Sequence, residues 1–199
     1  MTILRTPEQF RDAGLTAPER LMELQAVAAR YAVALPPDLA ALIDAQDPRD
    51  PVARQFVPDA AELDRRDEES TDPIGDDTFS PVEGVVHRYP DRVLLKLTAV
   101  CAVYCRFCFR RETVGPDKSR PLSPQTLARA LDYIRAHEDI WEVILTGGDP
   151  LVLSARRVRA VMKALRAIDH VKVVRIHTRV PVAEPARVTP ELSSAIRRV

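Results

Sequence analysis

Val93-Leu94-Leu95-Lys96-Leu97, closely followed by Cys101-Ala102-Val103-Tyr104-Cys105-Arg106-Phe107-Cys108, is the stretch on which the fold turns. The first five residues form a short apolar run of strand length. Beyond the cysteines, Ser123-Pro124 pairs an N-cap residue with proline at the first helical position, and Leu127, Leu131 and Ile134 recur behind it at helical spacing. The cysteines therefore lie on a loop between a strand and a helix. Further on, Glu142-Val143-Ile144-Leu145 reads as a second strand, and Ser154 caps a second helix with Val158, Val161, Met162, Leu165 and Ile168 on one face. Val171 to Ile176 is a third strand. Thr189-Pro190-Glu191 then opens a third helix, with an N-cap, a proline and an early acid that suits the helix dipole. Three βα units in series predict parallel strands with right-handed crossovers, and so an α/β layer or barrel.

Toward the N-terminus the period changes. Over residues 1–61 the pattern is helical, with Leu21, Leu24, Val27, Ala28 and Tyr31 three and four residues apart and Pro36-Pro37 opening a second apolar stretch. Residues 62–80 are charged and rich in turn formers, which predicts a surface connector and a domain boundary. The barrel unit then runs over residues 81–199. At its far end the third helix has room for only about two and a half turns before Val199, and three parallel strands would leave long unpaired edges. The expectation is a C-terminally truncated chain, or one that closes its sheet by pairing with another copy.

With 199 residues, 46% of them hydrophobic, the chain can bury a core without disulfides. Its 29 basic and 29 acidic residues cancel, which removes the footprint of a nucleic-acid or polybasic membrane binder. No apolar run approaches the ~20 residues of a membrane span, and the expected location is cytoplasmic. Only Lys96, Lys118, Lys163 and Lys172 are lysines, which leaves few candidates for Schiff-base chemistry.

All three cysteines of the chain fall in one C-x3-C-x2-C run. Three thiolates so close can cap three corners of a cuboidal iron–sulfur cluster and leave its fourth iron open. Zinc would need a fourth ligand, His87 or His177, at spacings unlike a zinc finger. Arg106, Arg110 and Arg111 offer positive charge to thiolates and forks for carboxylates. Thr146-Gly147-Gly148-Asp149-Pro150 ends the second strand, where two glycines allow close backbone approach and the carbonyls with Asp149 can accept from an ammonium.

The cysteine run resembles the cluster loop of the radical S-adenosylmethionine superfamily, whose fold is a full or partial (β/α) barrel. Here that would be a partial barrel of three βα units preceded by a small helical region. Thr78-Phe79-Ser80-Pro81-Val82, His87-Arg88-Tyr89-Pro90-Asp91-Arg92, Cys105-Arg106-Phe107-Cys108-Phe109-Arg110-Arg111 and Arg175-Ile176-His177-Thr178-Arg179 resemble the lysine 2,3-aminomutase family, in its lysine 2,3-aminomutase-like branch. The resemblance implies that Cys101, Cys105 and Cys108 hold a 4Fe-4S cluster. It puts Gly147, Gly148 and Asp149 at the amine of S-adenosylmethionine, and Thr178 and Arg179 near its carboxylate. Arg88, Tyr89 and Arg92 match residues at the phosphate of pyridoxal phosphate; the plain alternative is that the two arginines pair with Asp91 or Glu83. Arg110 matches the residue for the substrate carboxylate.

The implied activity is a 1,2-amino migration on lysine or a related amino acid, begun by a 5'-deoxyadenosyl radical and supplied with electrons by a flavodoxin or ferredoxin. Two departures stand beside it. None of the four lysines matches the position that forms the family's aldimine, and Phe109 replaces a small polar residue of the lysine enzyme, which leaves the substrate open. The rival readings are a cluster-binding fragment or pseudoenzyme without aminomutase activity, and a zinc-binding module.

Overall fold

The computed structural model describes residues 2–118 and 121–197, so Met1 and Val199, the outer ends of the expected units 1–61 and 81–199, lie outside the described residues. Helices α1 (Pro7–Asp12), α2 (Leu21–Arg30), α3 (Pro37–Ala40) and α4 (Ala53–Phe56) come first. Strands β1 (Val85–Tyr89), β2 (Arg92–Thr98), β3 (Glu142–Gly147) and β4 (Val173–Ile176) form one sheet in that order. Helix α5 (Pro124–Ala136) joins β2 to β3 and α6 (Ala155–Arg166) joins β3 to β4, while α7 (Val180–Ala183) and α8 (Pro190–Arg197) follow.

The three predicted helix starts form as read. Ser123 Oγ accepts from the Thr126 amide at 3.0 Å, Ser154 Oγ from Arg157 at 3.3 Å and Thr189 Oγ1 from Leu192 at 3.2 Å. Each cap contributes about 1 kcal/mol by satisfying an otherwise orphan amide. Strands β2, β3 and β4 are parallel, as three βα units require. The third strand begins at Val173 rather than Val171. Strand β1 was not expected: it pairs antiparallel with β2 through Val85↔Leu95, Val86↔Leu94 and Tyr89↔Arg92 across a tight turn. Its sequence alternates poorly, and the neighbouring strand supplies the order that the local pattern lacks.

Alternation along the strands divides the sheet. Val93, Leu95, Leu97, Val143 and Leu145 pack under Ala130, Ile134, Val158, Val161 and Leu165 of α5 and α6, and each large side chain so buried is worth about 1.5–3 kcal/mol. Leu94, Lys96, Ile144 and Thr146 face the other way, toward the site. Phe10, Leu35, Leu39 and Phe56 belong to the same apolar cluster as the sheet, so the N-terminal helices share its core.

Residues 62–80, read as a surface connector, carry two carboxylates that fold inward. Glu62 pairs with Arg106 at 2.7 Å and Asp76 with Arg110 at 2.9 Å, both largely shielded from water. The cause is tertiary, since each guanidinium is nearly buried and a buried cation requires a partner. No helix among the described residues is long and apolar enough to cross a membrane.

Candidate functional site

The site lies at the C-terminal ends of β2, β3 and β4, where parallel sheets place their ligands. Cys101, Cys105, Cys108, Gly147, Gly148, Asp149, Thr178 and Arg179 line one cavity of about 530 Å³. The structure thus brings together the cysteine run and the two later motifs that the sequence places far apart. Burial pushes the Cys101 thiol up to about 12, aided by the Asp149 carboxylate and by Cys108 and Cys105. Cys105 is also raised, first by burial, with Arg179 pulling the other way. Cys101 and Cys105 each feel the charge of Cys108, as sulfurs gathered at one place do.

That donor set fits an iron–sulfur cluster, whose positive irons would hold the three sulfurs as thiolates. Among the described residues no three His, Cys, Asp or Glu side chains are grouped as ligands of a single metal ion. His87, one candidate fourth zinc ligand, points elsewhere, with Nδ1 at 2.8 Å from the Tyr133 hydroxyl. His177 does line the cavity.

Backbone approach explains the two glycines. A Cβ on Gly148 would sit 2.4 Å from the Val100 carbonyl oxygen and 2.7 Å from the Ala99 carbonyl carbon. Gly147 has φ +110°, and its Cβ would lie 2.5 Å from the Thr98 carbonyl oxygen. The gain is a direct suture: the Gly148 amide donates to Thr98 at 2.5 Å and the Asp149 amide to Val100 at 2.9 Å, which ties the glycine turn to the root of the cysteine loop. Among the described residues the Gly148 carbonyl accepts no hydrogen bond and remains available to an ammonium.

Asp149 and Thr178 have other duties than those expected. Asp149, 3% exposed, accepts on Oδ1 from the Leu151 amide (2.9 Å) and the Thr178 hydroxyl (2.7 Å), and on Oδ2 from the amides of Arg179 (2.6 Å) and Val180 (3.2 Å). Four donors fill the four lone-pair directions of a carboxylate. So engaged, the Asp149 carboxylate fixes the turn after β4. Thr178 spends its proton on Asp149 and accepts from the Val180 amide at 3.0 Å, so its hydroxyl is not free to donate to a ligand carboxylate. Arg179 is free: its guanidinium lies 5.7 Å from the Phe107 ring centroid and has no carboxylate partner among the described residues.

The other arginines are not a bare electropositive cluster. Arg106 holds Glu62 in a fork and donates to the Ala32 carbonyl, Arg111 reaches Glu69 at 3.5 Å, and Arg110 gives both Nε (3.1 Å) and Nη2 (2.9 Å) to Asp76 Oδ2. This side-on pairing leaves the Nη1 end of Arg110 without a partner among the described residues. Arg88, Tyr89 and Arg92 do share one small cavity of about 130 Å³. Arg92 there forks Asp91 at 2.8 and 2.9 Å, the plain alternative named above, and Arg88 lies 3.7 Å from Asp76 and donates to the Ile74 carbonyl. No lysine lines that cavity. Two guanidiniums and a phenol suit a phosphate provided that Asp91 and Asp76, which also lines the cavity, give way, and nothing more of pyridoxal phosphate is accounted for.

Sequence reasoning missed Glu62 and Asp76. Glu62 carried a signal, because Asp59-Ala60-Ala61-Glu62 is a capping box, with the Asp59 amide donating to Glu62 Oε1 at 3.0 Å. Asp76 carried none, since its partners Arg88 and Arg110 are remote in sequence.

Residues 95–195 match the family model described as the Radical SAM superfamily. The L-lysine 2,3-aminomutase of Clostridium subterminale is 44% identical over 167 residues, which cover 83% of this chain and 40% of that protein. That of Methanococcus maripaludis is 37% identical over 187 residues, 93% of this chain and 43% of the relative. The glutamate 2,3-aminomutase of Clostridioides difficile is 34% identical over 175 residues, 88% of this chain and 41% of that enzyme. The chain thus spans about two-fifths of the length of the relatives it matches.

Proposed function

The chain belongs to the radical SAM superfamily, and on that premise we propose that it is part of an aminomutase-like isomerase acting on an amino acid. The observation that carries this reading is the convergence of Cys101, Cys105 and Cys108 on a cavity whose other walls are Gly147-Gly148 and Arg179. A 4Fe-4S cluster, when bound, supplies the electron that cleaves S-adenosylmethionine to a 5'-deoxyadenosyl radical. The three cysteines would hold it from one side.

The remaining work falls to the chain's own residues. The free Gly148 carbonyl accepts from the amine of S-adenosylmethionine, and Arg179 pairs with its carboxylate. Asp149 holds the Arg179 backbone in place. Arg110, braced by Asp76, presents its Nη1 end to the carboxylate of the amino acid, a geometry lysine cannot reproduce. Arg88, Tyr89 and Arg92 anchor the phosphate of pyridoxal phosphate. Val103 and Tyr104, buried side chains of the cysteine loop, hold that loop against the apolar core. An electron-transfer protein of flavodoxin or ferredoxin type serves as reductant.

Anaerobic reconstitution with iron and sulfide tests the reading, followed by electron paramagnetic resonance of the reduced protein with and without S-adenosylmethionine. A cluster signal that shifts on addition is the expected result; a signal that ignores the nucleotide would remove the assignment of Gly148 and Arg179. Cys105→Ala should lose the cluster, and Arg110→Lys should keep it with weaker amino-acid binding. The rival reading is cluster binding without aminomutation. Cluster and nucleotide response without amine migration would select it.

A further inference from the structure

A second cavity, of about 430 Å³, abuts the first on the face of the sheet turned away from α5 and α6. The two share Arg110, Val114 and Gly147. Lys96 lines the second one, in register with Thr146 of β3 on the site-facing side of β2. It is half-buried, and among the described residues it has no ion-pair or side-chain hydrogen-bond partner. It also lies close to the first cavity, because its Cα and Cβ would be 3.2 Å from a Cβ on Gly147.

Carboxylates near it are already engaged or stand at the rim. Glu112 is held by Arg30 at 3.1 Å and by the Tyr31 hydroxyl at 3.2 Å. Asp77 is exposed, and the Glu83 side chain is 70% exposed. Asp72 spends its oxygens on the amides of Asp76 and Asp77, each at 2.9 Å. The Lys96 charge reaches Asp72 only through space, as one contributor to its lowered pKa. Among the described residues three cations line the cavity, Arg110, Lys96 and the exposed Lys118; Arg110 is paired with Asp76, whereas Lys96 is partly buried with no counter-charge in contact.

We infer that Lys96 is an anion-binding side chain of the substrate pocket, and that the site takes an amino acid with a second carboxylate, of the glutamate or aspartate class, in preference to lysine. The inference rests on the proposed amino-acid site at Arg110. A substrate anchored there by its α-carboxylate extends along β2 toward Lys96. A side-chain carboxylate at that end gains a charge-assisted hydrogen bond, whereas a second ammonium meets like charge.

The test titrates L-glutamate, L-lysine and the neutral L-norleucine into the reconstituted chain with S-adenosylmethionine and pyridoxal phosphate present, and reads binding by calorimetry. L-Glutamate should bind about tenfold more tightly than L-lysine, the scale of one partly shielded charge pair. Lys96→Met should bring the two within about twofold of each other, and Lys96→Arg should keep the preference. Equal or tighter binding of L-lysine, binding of neither acid, or a preference untouched by Lys96→Met would each overturn the inference. The resonance shift with S-adenosylmethionine, recorded on the same samples, separates the two failures. Where the shift persists and the preference is absent, only the role of Lys96 falls; where the shift itself is absent, the superfamily site does.

Discussion

Asp149→Asn removes one charge and no volume, so its effect isolates what the four-donor carboxylate contributes. The amide oxygen of asparagine can serve Leu151 and Thr178, but its NH2 then faces the amides of Arg179 and Val180, now 2.6 and 3.2 Å from Oδ2. Val180 retains a second acceptor in Thr178 Oγ1 at 3.0 Å, whereas Arg179 loses its partner outright. One charge-assisted bond is worth about 1.5–3 kcal/mol, and a stranded buried donor costs about 1–3 kcal/mol more. A loss of about 3 kcal/mol follows, which for a chain of this size lowers Tm by roughly 6–12 °C. The assay is thermal unfolding of the metal-free protein followed by circular dichroism. Asp77→Asn, at an exposed carboxylate, is the control and should change stability by less than about 0.5 kcal/mol. An Asp149→Asn protein that melts within 2 °C of the parent, on this roughly 6–12 °C scale, would refute the clamp. In the same variant S-adenosylmethionine should bind more weakly while the cluster still assembles, because the Arg179 backbone is loosened and the cysteines are untouched.

Three further outcomes are expected. Gly148→Ala forces a methyl group to within 2.4 Å of the Val100 carbonyl oxygen, so the cysteine loop must shift, and iron content after reconstitution should fall severalfold; parental iron content would show the approach to be relaxed without cost. Glu62→Gln leaves the Arg106 guanidinium, 8% exposed, without its counter-charge and should cost about 3–5 kcal/mol in urea unfolding, most of it recovered when both residues are made Met. The metal-free protein should lose stability as pH rises above about 9. Burial holds the Cys101 thiol up at about 12, so the folded chain keeps a proton that the unfolded chain releases. That contribution is complete below the ordinary thiol range and disappears on approach to pH 12, and Cys101→Ser should flatten the slope.

Much of this protein was legible from local pattern. The strand before the cysteines, the Ser123, Ser154 and Thr189 caps and the glycine turn after β3 each depend on neighbours within a few residues, and the structure reproduces them. The nearness of the three cysteines was legible too, since they fall within eight residues of one loop. Strand β1 was less readable, because its order comes from pairing with β2 and its own alternation is poor.

The partners of the charged side chains were decided only by tertiary structure. Arg106, Arg110 and Arg111 looked alike in sequence, yet Arg106 is locked to Glu62, Arg110 is braced by Asp76, and Arg179 alone of the four arginines at the site stands unpaired among the described residues. Asp149 read as a ligand acceptor, and its hydrogen bonds to the loop after β4 came only with the fold. Lys96 read as one residue of a strand, and its meaning came from the face on which it stands and from the lack of a counter-charge there. Hydrophobic period and turn chemistry act over a few residues, so one chain suffices to read them. A buried charge is governed by whatever lies within a few ångströms, and which residues those are is known only when distant segments have been brought together.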